Sequence, residues 1–210
     1  MIIDLEKLSQ TKLERSPFEH CIVPAVINPQ ALQAINDDFP LVPGPANYDP
    51  AKLHYGGTFQ ALLDQLNDAS FSDAVGKIFD VQLTNYPSTI TVRGQCELSD
   101  GNIHTDHWSK ILTILLYFNS NWQHEGGRLR LLHNADNIED YGVEILPEGG
   151  NMLAFLRSDH SFHGHQRFVG ERRMLQMSWI KPSRLAQMTQ KFDRLLTHSV
   201  KRISRVGRFL

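Results

Sequence analysis

At 210 residues, 41% of them hydrophobic and 21% charged, the chain is long enough for a single domain with a substantial core. A formal net charge of −2 excludes the bulk electrostatics of a nucleic-acid-binding protein, so no nucleic-acid partner is expected. Met1–Glu6 has neither the basic start nor the apolar run of a secretory signal, and no later run reaches membrane-spanning length, so a cytoplasmic location is expected.

Residues 1–27 show no clear period beyond the apolar run Cys21–Ile27. A helix is predicted next: Asn28 can cap it, Pro29 suits its first turn, Leu32 and Ile35 give it an apolar side, and Phe39-Pro40 stops it. The Pro-, Gly- and Tyr-containing stretch 41–57 reads as a loop, and a loop of that length inside a compact domain suggests a lid or a substrate rim. A second helical pattern runs from about Phe59 to Phe79, with Leu62, Leu63, Leu66, Phe71, Val75, Ile78 and Phe79 on its apolar side.

After Asp80 the chain changes to short β-type runs separated by turn signals. Predicted strands are Thr89–Leu98, Lys110–Phe118, Gly127–Leu132, Val143–Leu146, Met152–Arg157, Ser161–Phe168 and Arg172–Ile180. Such strands behind N-terminal helices indicate a two-sheet antiparallel sandwich or roll buttressed by the helices. The 111–118 run is apolar on both alternating faces apart from Thr113, as a strand covered on both sides would be. The expected organisation is one domain over 1–210, with a helical and loop part to residue 80, a β core at about 81–181 and a basic helical segment at 182–210. From Lys181 onward eight Lys or Arg stand against Asp193 alone, a formal charge of +7. A helix packed on the domain with a solvated basic face accounts for this; contact with an anionic or membrane surface is the alternative.

Seven of the ten histidines fall between residues 104 and 165, which points to a metal or catalytic region there. His104 and Asp106, two apart on an extended segment, point to the same face and can grip one ion. The run Ser161-Phe162-His163-Gly164-His165 offers a third ligand, with His160, His163 and His165 all within six residues. Two histidines and one carboxylate on one face of an octahedral metal leave three positions open, the arrangement of non-haem Fe(II) oxygenases. Cys21 and Cys96, only two and far apart, read as buried reduced thiols.

The ordered set His104-Thr105-Asp106, Thr113 to Asn119, Trp122, Gly126-Gly127-Arg128-Leu129, His163, Arg173 and Trp179 resembles the prolyl-4-hydroxylase-like branch of the 2-oxoglutarate- and Fe(II)-dependent dioxygenases over roughly residues 88–181. The resemblance implies a double-stranded β-helix, or jelly roll, with the metal at one mouth. It implies that His104, Asp106 and His163 bind Fe(II), with His163 chosen by its ten-residue interval to Arg173. It implies further that a basic residue at Arg173 anchors the distal carboxylate of 2-oxoglutarate with help from Tyr117. Gln95 and Thr113 are weaker candidates for the cosubstrate pocket. Fe(II), 2-oxoglutarate and O2 are the implied cofactor and cosubstrates, and ascorbate enters as a possible reductant.

Strand alternation is used to choose between neighbouring arginines. Arg173, Leu175, Met177 and Trp179 share one face, apolar apart from its arginine, and are expected to line the barrel interior, leaving Arg172 at the surface. His165 is expected to be an exposed polar residue, His107 structural or at the rim, and His124 and His133 solvated. The expected activity is hydroxylation of a C–H bond in a small or carrier-linked metabolite. The alternatives are a peptidyl-prolyl hydroxylase and a cupin-like metal enzyme that does not use 2-oxoglutarate.

Overall fold

The computed structural model describes residues 1–182. Four helices and eight strands follow in the order α1 (Leu5–Ser9), β1 (His20–Val23), α2 (Pro29–Asp37), α3 (Gly57–Asn67), α4 (Ala69–Phe79), β2 (Ser88–Cys96), β3 (Lys110–Tyr117), β4 (Leu129–Leu132), β5 (Tyr141–Ile145), β6 (Met152–Leu156), β7 (His163–His165) and β8 (Gly170–Ile180). The predicted C-terminal basic helix lies outside the described residues.

Local chemistry sets the helix boundaries. The Asn28 side chain accepts a hydrogen bond from the Ala31 amide at 2.8 Å and starts α2, with Pro29 at its first position as predicted. The single helical pattern expected over 59–79 is instead two helices. Asp68 takes an extended conformation (φ −71°, ψ 142°) and its carboxylate caps the Ser70 amide, so the chain turns where the apolar period alone shows continuity. The short α1 and the strand β1, which begins one residue before the apolar run at Cys21 and overlaps it, were not foreseen.

The strands form two antiparallel sheets, a larger one of order β1-β6-β3-β8-β2 and a smaller one of order β5-β4-β7. Mainly β structure flanked by helices, in a two-sheet roll, is the expected fold class. Period-2 alternation then sorts the side chains of the larger sheet, apart from those at its register shifts. Its outer face, with Leu112, Ile114, Leu116, Met152, Ala154, Leu175, Met177 and Trp179, packs under Leu8, Ile35, Phe59, Leu62, Leu66, Phe71 and Val75 of the helices. Trp179 lies against Phe71 with ring centroids 6.4 Å apart. Each of these fully buried large side chains contributes about 1.5–3 kcal/mol of apolar transfer. The inner face meets the smaller sheet through Leu115, Tyr117, Leu153, Phe155 and Met174 against Leu129, Leu131 and Ile145. Cys21 is buried, its thiol pushed up to about 12 by desolvation, as befits a structural residue.

Candidate metal centre

Two stretches of chain bring the centre together. His104, in the segment between β2 and β3, forms a one-residue bridge to the start of β7, its amide donating to the His163 carbonyl (3.0 Å) and the His163 amide donating back (2.9 Å). The two imidazoles therefore face each other with centroids 4.4 Å apart. Asp106 follows two residues after His104, and one ligand atom from each of His104, Asp106 and His163 lies within 4.8 Å of the others.

Hydrogen bonds ready the ring nitrogens. Nδ1 of His104 is 2.9 Å from the Asn102 carbonyl, and Nδ1 of His163 is 2.9 Å from that of Ser161. A carbonyl only accepts, so each Nδ1 is assigned the hydrogen and each Nε2 keeps its lone pair for a metal. Burial, reinforced by the neighbouring His104, pushes His163 down to about 4, leaving it neutral at physiological pH. Burial alone would raise the Asp106 carboxyl, but the Lys110 ammonium 2.6 Å from Oδ1, the nearby His163 and the Thr113 hydroxyl 2.5 Å from Oδ2 hold it well below the usual carboxylate range. Two imidazoles and one ionised carboxylate are the donor set that a divalent iron takes.

Beside this triad a cavity of about 320 Å³ opens between the sheets. Thr113 and Leu115 of β3, Phe155 of β6 and Arg172, Met174 and Gln176 of β8 line one side of it, and Leu129 of β4 and His165 of β7 the other. The side chains from β8 are the even-numbered ones, so the face assignment of the two arginines is corrected. Arg172 is 3% exposed and reaches into the cavity, whereas Arg173 lies on the other face, pairs with Glu171 (2.9 Å), reaches Asn36 of α2 and covers the Phe39 ring at 5.3 Å. The apolar set Leu175, Met177 and Trp179 does not line the interior. A helical layer covers the outer sheet face and demands an apolar surface there, while the gap that holds a polar site is lined by the more polar strand face.

Tyr117 is fully buried between the sheets with the Arg172 guanidinium 5.3 Å above its ring. Burial pushes its phenol above the ordinary value, partly offset by Arg172, so it remains a hydrogen-bond donor. Arg172 donates through Nε to the Gly127 carbonyl (2.8 Å) and directs Nη1 at the Met174 sulfur (2.9 Å). Its Nη2 and the Tyr117 hydroxyl are buried side-chain atoms without a protein hydrogen-bond partner. Two such donors cost roughly 1–3 kcal/mol each unless an acceptor reaches them, and a carboxylate is the acceptor that suits a guanidinium and a phenol together.

Other predicted positions divide. Thr113 lines the cavity and touches Asp106. Gln95 does not line it: the β2–β8 register shifts by one residue between Arg93 and Gln95, so Gln95 stands opposite Glu171 and is exposed. His165, expected at the surface, is buried on the His163 face of β7 and lines the cavity, pushed down to about 4 by burial and by Arg172. His107 bonds the Ser109 hydroxyl at 2.7 Å, while His124, His133 and His160 are exposed. The 41–57 loop does reach the rim: Tyr48 pairs with Val92 on the β2 edge, and Asn47, held by Arg93 Nε at 2.9 Å, lines the cavity. Lys110 carried no signal in the sequence, because a lysine four residues from a carboxylate means nothing until the chain between them is known to turn.

Residues 92–181 match the family model described as the 2OG-Fe(II) oxygenase superfamily. No curated protein matches the chain. Among solved structures the chain is similar to a prolyl-4-hydroxylase from Pseudomonas putida (TM-score 0.52, 16% identity, covering 86% of this chain and 93% of that one). It is also similar to a 2OG-Fe(II) oxygenase family oxidoreductase from Burkholderia pseudomallei (TM-score 0.52, 14% identity, 77% and 84%) and to a prolyl 4-hydroxylase from Phytophthora capsici (TM-score 0.51, 14% identity, 85% and 62%). At these identities the likeness is one of fold.

Proposed function

With residues 92–181 belonging to the 2OG-Fe(II) oxygenase superfamily, and the chain thus an oxidoreductase of the dioxygenase type, we propose that it hydroxylates a C–H bond of a small or carrier-linked molecule. In this reading His104, Asp106 and His163 hold the Fe(II), and Arg172 with Tyr117 takes the distal carboxylate of 2-oxoglutarate. When bound, iron and 2-oxoglutarate together supply the oxidising chemistry: 2-oxoglutarate, O2 and R–H become succinate, CO2 and R–OH.

The protein's own part is binding, orientation and shielding. The two Nδ1–H groups, spent on the Asn102 and Ser161 carbonyls, fix both rings with Nε2 inward. The Arg172 guanidinium, buried and always charged, offers a planar fork that a carboxylate can meet with two hydrogen bonds, and the Tyr117 phenol adds a third donor from below. Leu115, Leu129, Phe155 and Met174 give the cavity an apolar lining beside the triad, against which a seated substrate would displace water from the reacting centre. Presence of Asp106 as a third ligand favours hydroxylation over halogenation, which needs that position for a halide.

The observation that carries the reading is the pair of buried, unpartnered donors, Arg172 Nη2 and the Tyr117 hydroxyl, the first on a side chain that lines the cavity with the convergent triad and the second on a ring packed against that guanidinium. A fold with a merely polar cavity has no use for them. The test is anaerobic titration of the protein with Fe(II) and 2-oxoglutarate, following the visible charge-transfer absorption of a ferrous 2-oxo acid chelate. Its appearance in the wild type and loss in His163→Ala support the reading; metal binding without the absorption refutes it in favour of a cupin-like enzyme. Once it appears, succinate release across paired small-molecule and proline-peptide panels decides between the metabolite and the peptidyl-prolyl substrate that the fold relatives' names suggest.

A further inference from the structure

Lys110 is not a ligand and does not line the cavity, yet it is nearly buried and spends its ammonium on the metal-binding carboxylate. By simple alternation it would share a face with Leu112 and Ile114 and lie under the helices. The β3–β8 register shifts by one residue between Lys110 and Leu112, and Lys110 is turned instead to Asp106, its Nζ 2.6 Å from Oδ1 with the two side chains 11% and 8% exposed. Thr113, from the inner face of the same strand, donates to the other oxygen, Oδ2, at 2.5 Å, while its own oxygen lies 3.1 Å from the Ser178 hydroxyl. Arg157 Nε donates to the Asp106 main-chain carbonyl at 3.1 Å. The carboxylate is thus gripped at both oxygens and at its backbone.

We propose that Lys110, with Thr113, is a positioning residue that confines Asp106 to giving the metal a single oxygen. This rests on the reading of the triad as an Fe(II) site. A carboxylate can bind a metal through one oxygen or two, and nothing in the residue type decides which. Each Asp106 oxygen already spends a lone pair on a strong hydrogen bond, so turning the group until both oxygens face one ion works against the ammonium and hydroxyl contacts that fix its present orientation. Coordination arithmetic makes this matter. Three protein donor atoms leave three octahedral positions, two for a chelating 2-oxo acid and one for O2, whereas a fourth donor atom from Asp106 leaves only two. Lys110 therefore trades metal affinity for open positions: its charge opposes a cation nearby, and its hold on Oδ1 keeps a position free.

The proposal predicts opposite signs for two affinities. In Lys110→Met, Fe(II) measured by anaerobic competition with a chelating indicator should bind as tightly as in the wild type or up to tenfold tighter. The 2-oxoglutarate affinity of the Fe(II)-loaded protein, read from the charge-transfer absorption, should fall at least tenfold. Lys110→Arg should restore the wild-type pattern. Thr113→Val, which frees only Oδ2, should shift both affinities in the same senses and covers the case in which Lys110→Met does not fold. Co(II) substitution adds a spectroscopic readout, since its d–d absorption reports coordination number without turnover. Loss of both affinities together in the two variants, or 2-oxoglutarate affinity unchanged in both, overturns the proposal. A wild type that takes Fe(II) but no 2-oxoglutarate overturns the functional reading instead, so the two failures are distinguishable.

Discussion

Replacing Arg172 by Met should damage 2-oxoglutarate binding far more than replacing Arg173, against the order that strand alternation suggests. Arg172 is 3% exposed beside the triad and keeps an unpartnered Nη2, so a carboxylate placed there gains a charge-assisted bond screened from water. Such bonds contribute about 1.5–3 kcal/mol, which at about 1.4 kcal/mol per tenfold is a rise in Kd of roughly 10- to 150-fold. Arg173 has a side chain 31% exposed, paired with Glu171 and laid over Phe39, a surface arrangement whose loss costs about 0–1 kcal/mol of stability and nothing in cosubstrate affinity. Arg172→Met also strands the Gly127 carbonyl, so thermal unfolding should be measured alongside; the affinity itself is read on folded protein by anaerobic titration of the Fe(II)-loaded form. Arg172→Lys, which keeps the charge and loses the fork, should fall between wild type and Met. If Arg173→Met weakens binding as much as Arg172→Met or more, the anchor is misassigned.

Alanine at His104, Asp106 or His163 should abolish succinate formation with the far-ultraviolet dichroism retained; full turnover in any one of them removes that residue from the ligand set. His163 and His165 are pushed down to about 4 from an ordinary 6.5, so the unfolded chain binds more protons than the folded one between those values, and stability must fall as pH drops through that window. Each contributes about 3 kcal/mol at most, the metal-free protein should therefore lose Tm between pH 6.5 and 4, and His165→Gln should flatten that slope; a slope unchanged by the substitution contradicts the assignment. Gly101→Ala should destabilise by roughly 1–3 kcal/mol or more in denaturant titration, since Gly101 sits at φ +93° and an added Cβ would lie 2.3 Å from the His165 carbonyl. Asn28→Ala should cost about 1 kcal/mol through the lost α2 cap, measured the same way.

The sequence by itself determined the parts that depend on one residue and its near neighbours. Asn28-Pro29 announces a helix start because a cap and a fixed φ act within one turn, and the observed α2 begins there. The H-x-D spacing and the crowding of histidines announce a metal region because donors two apart on an extended chain share a face. Strand positions from β2 to β8 were legible from alternation and turn residues, with ends displaced by a few positions. The break at Asp68 was not, since an aspartate inside an apolar period is as compatible with a solvated helix position as with a cap.

Only the tertiary structure decided which way each strand faces. Alternation divides β8 into two sets without saying which set meets the helices and which the smaller sheet, and the apolar set went to the helices, carrying Arg173 outward and Arg172 in. One-residue register shifts in β2–β8 and β3–β8 then reversed Gln95 and Lys110 against their own strands' parity. The physical reason is common to all three: a side chain's face is a property of pairing between residues 57 to 91 positions apart, and a shift of one residue there inverts it without altering any local signal in the chain.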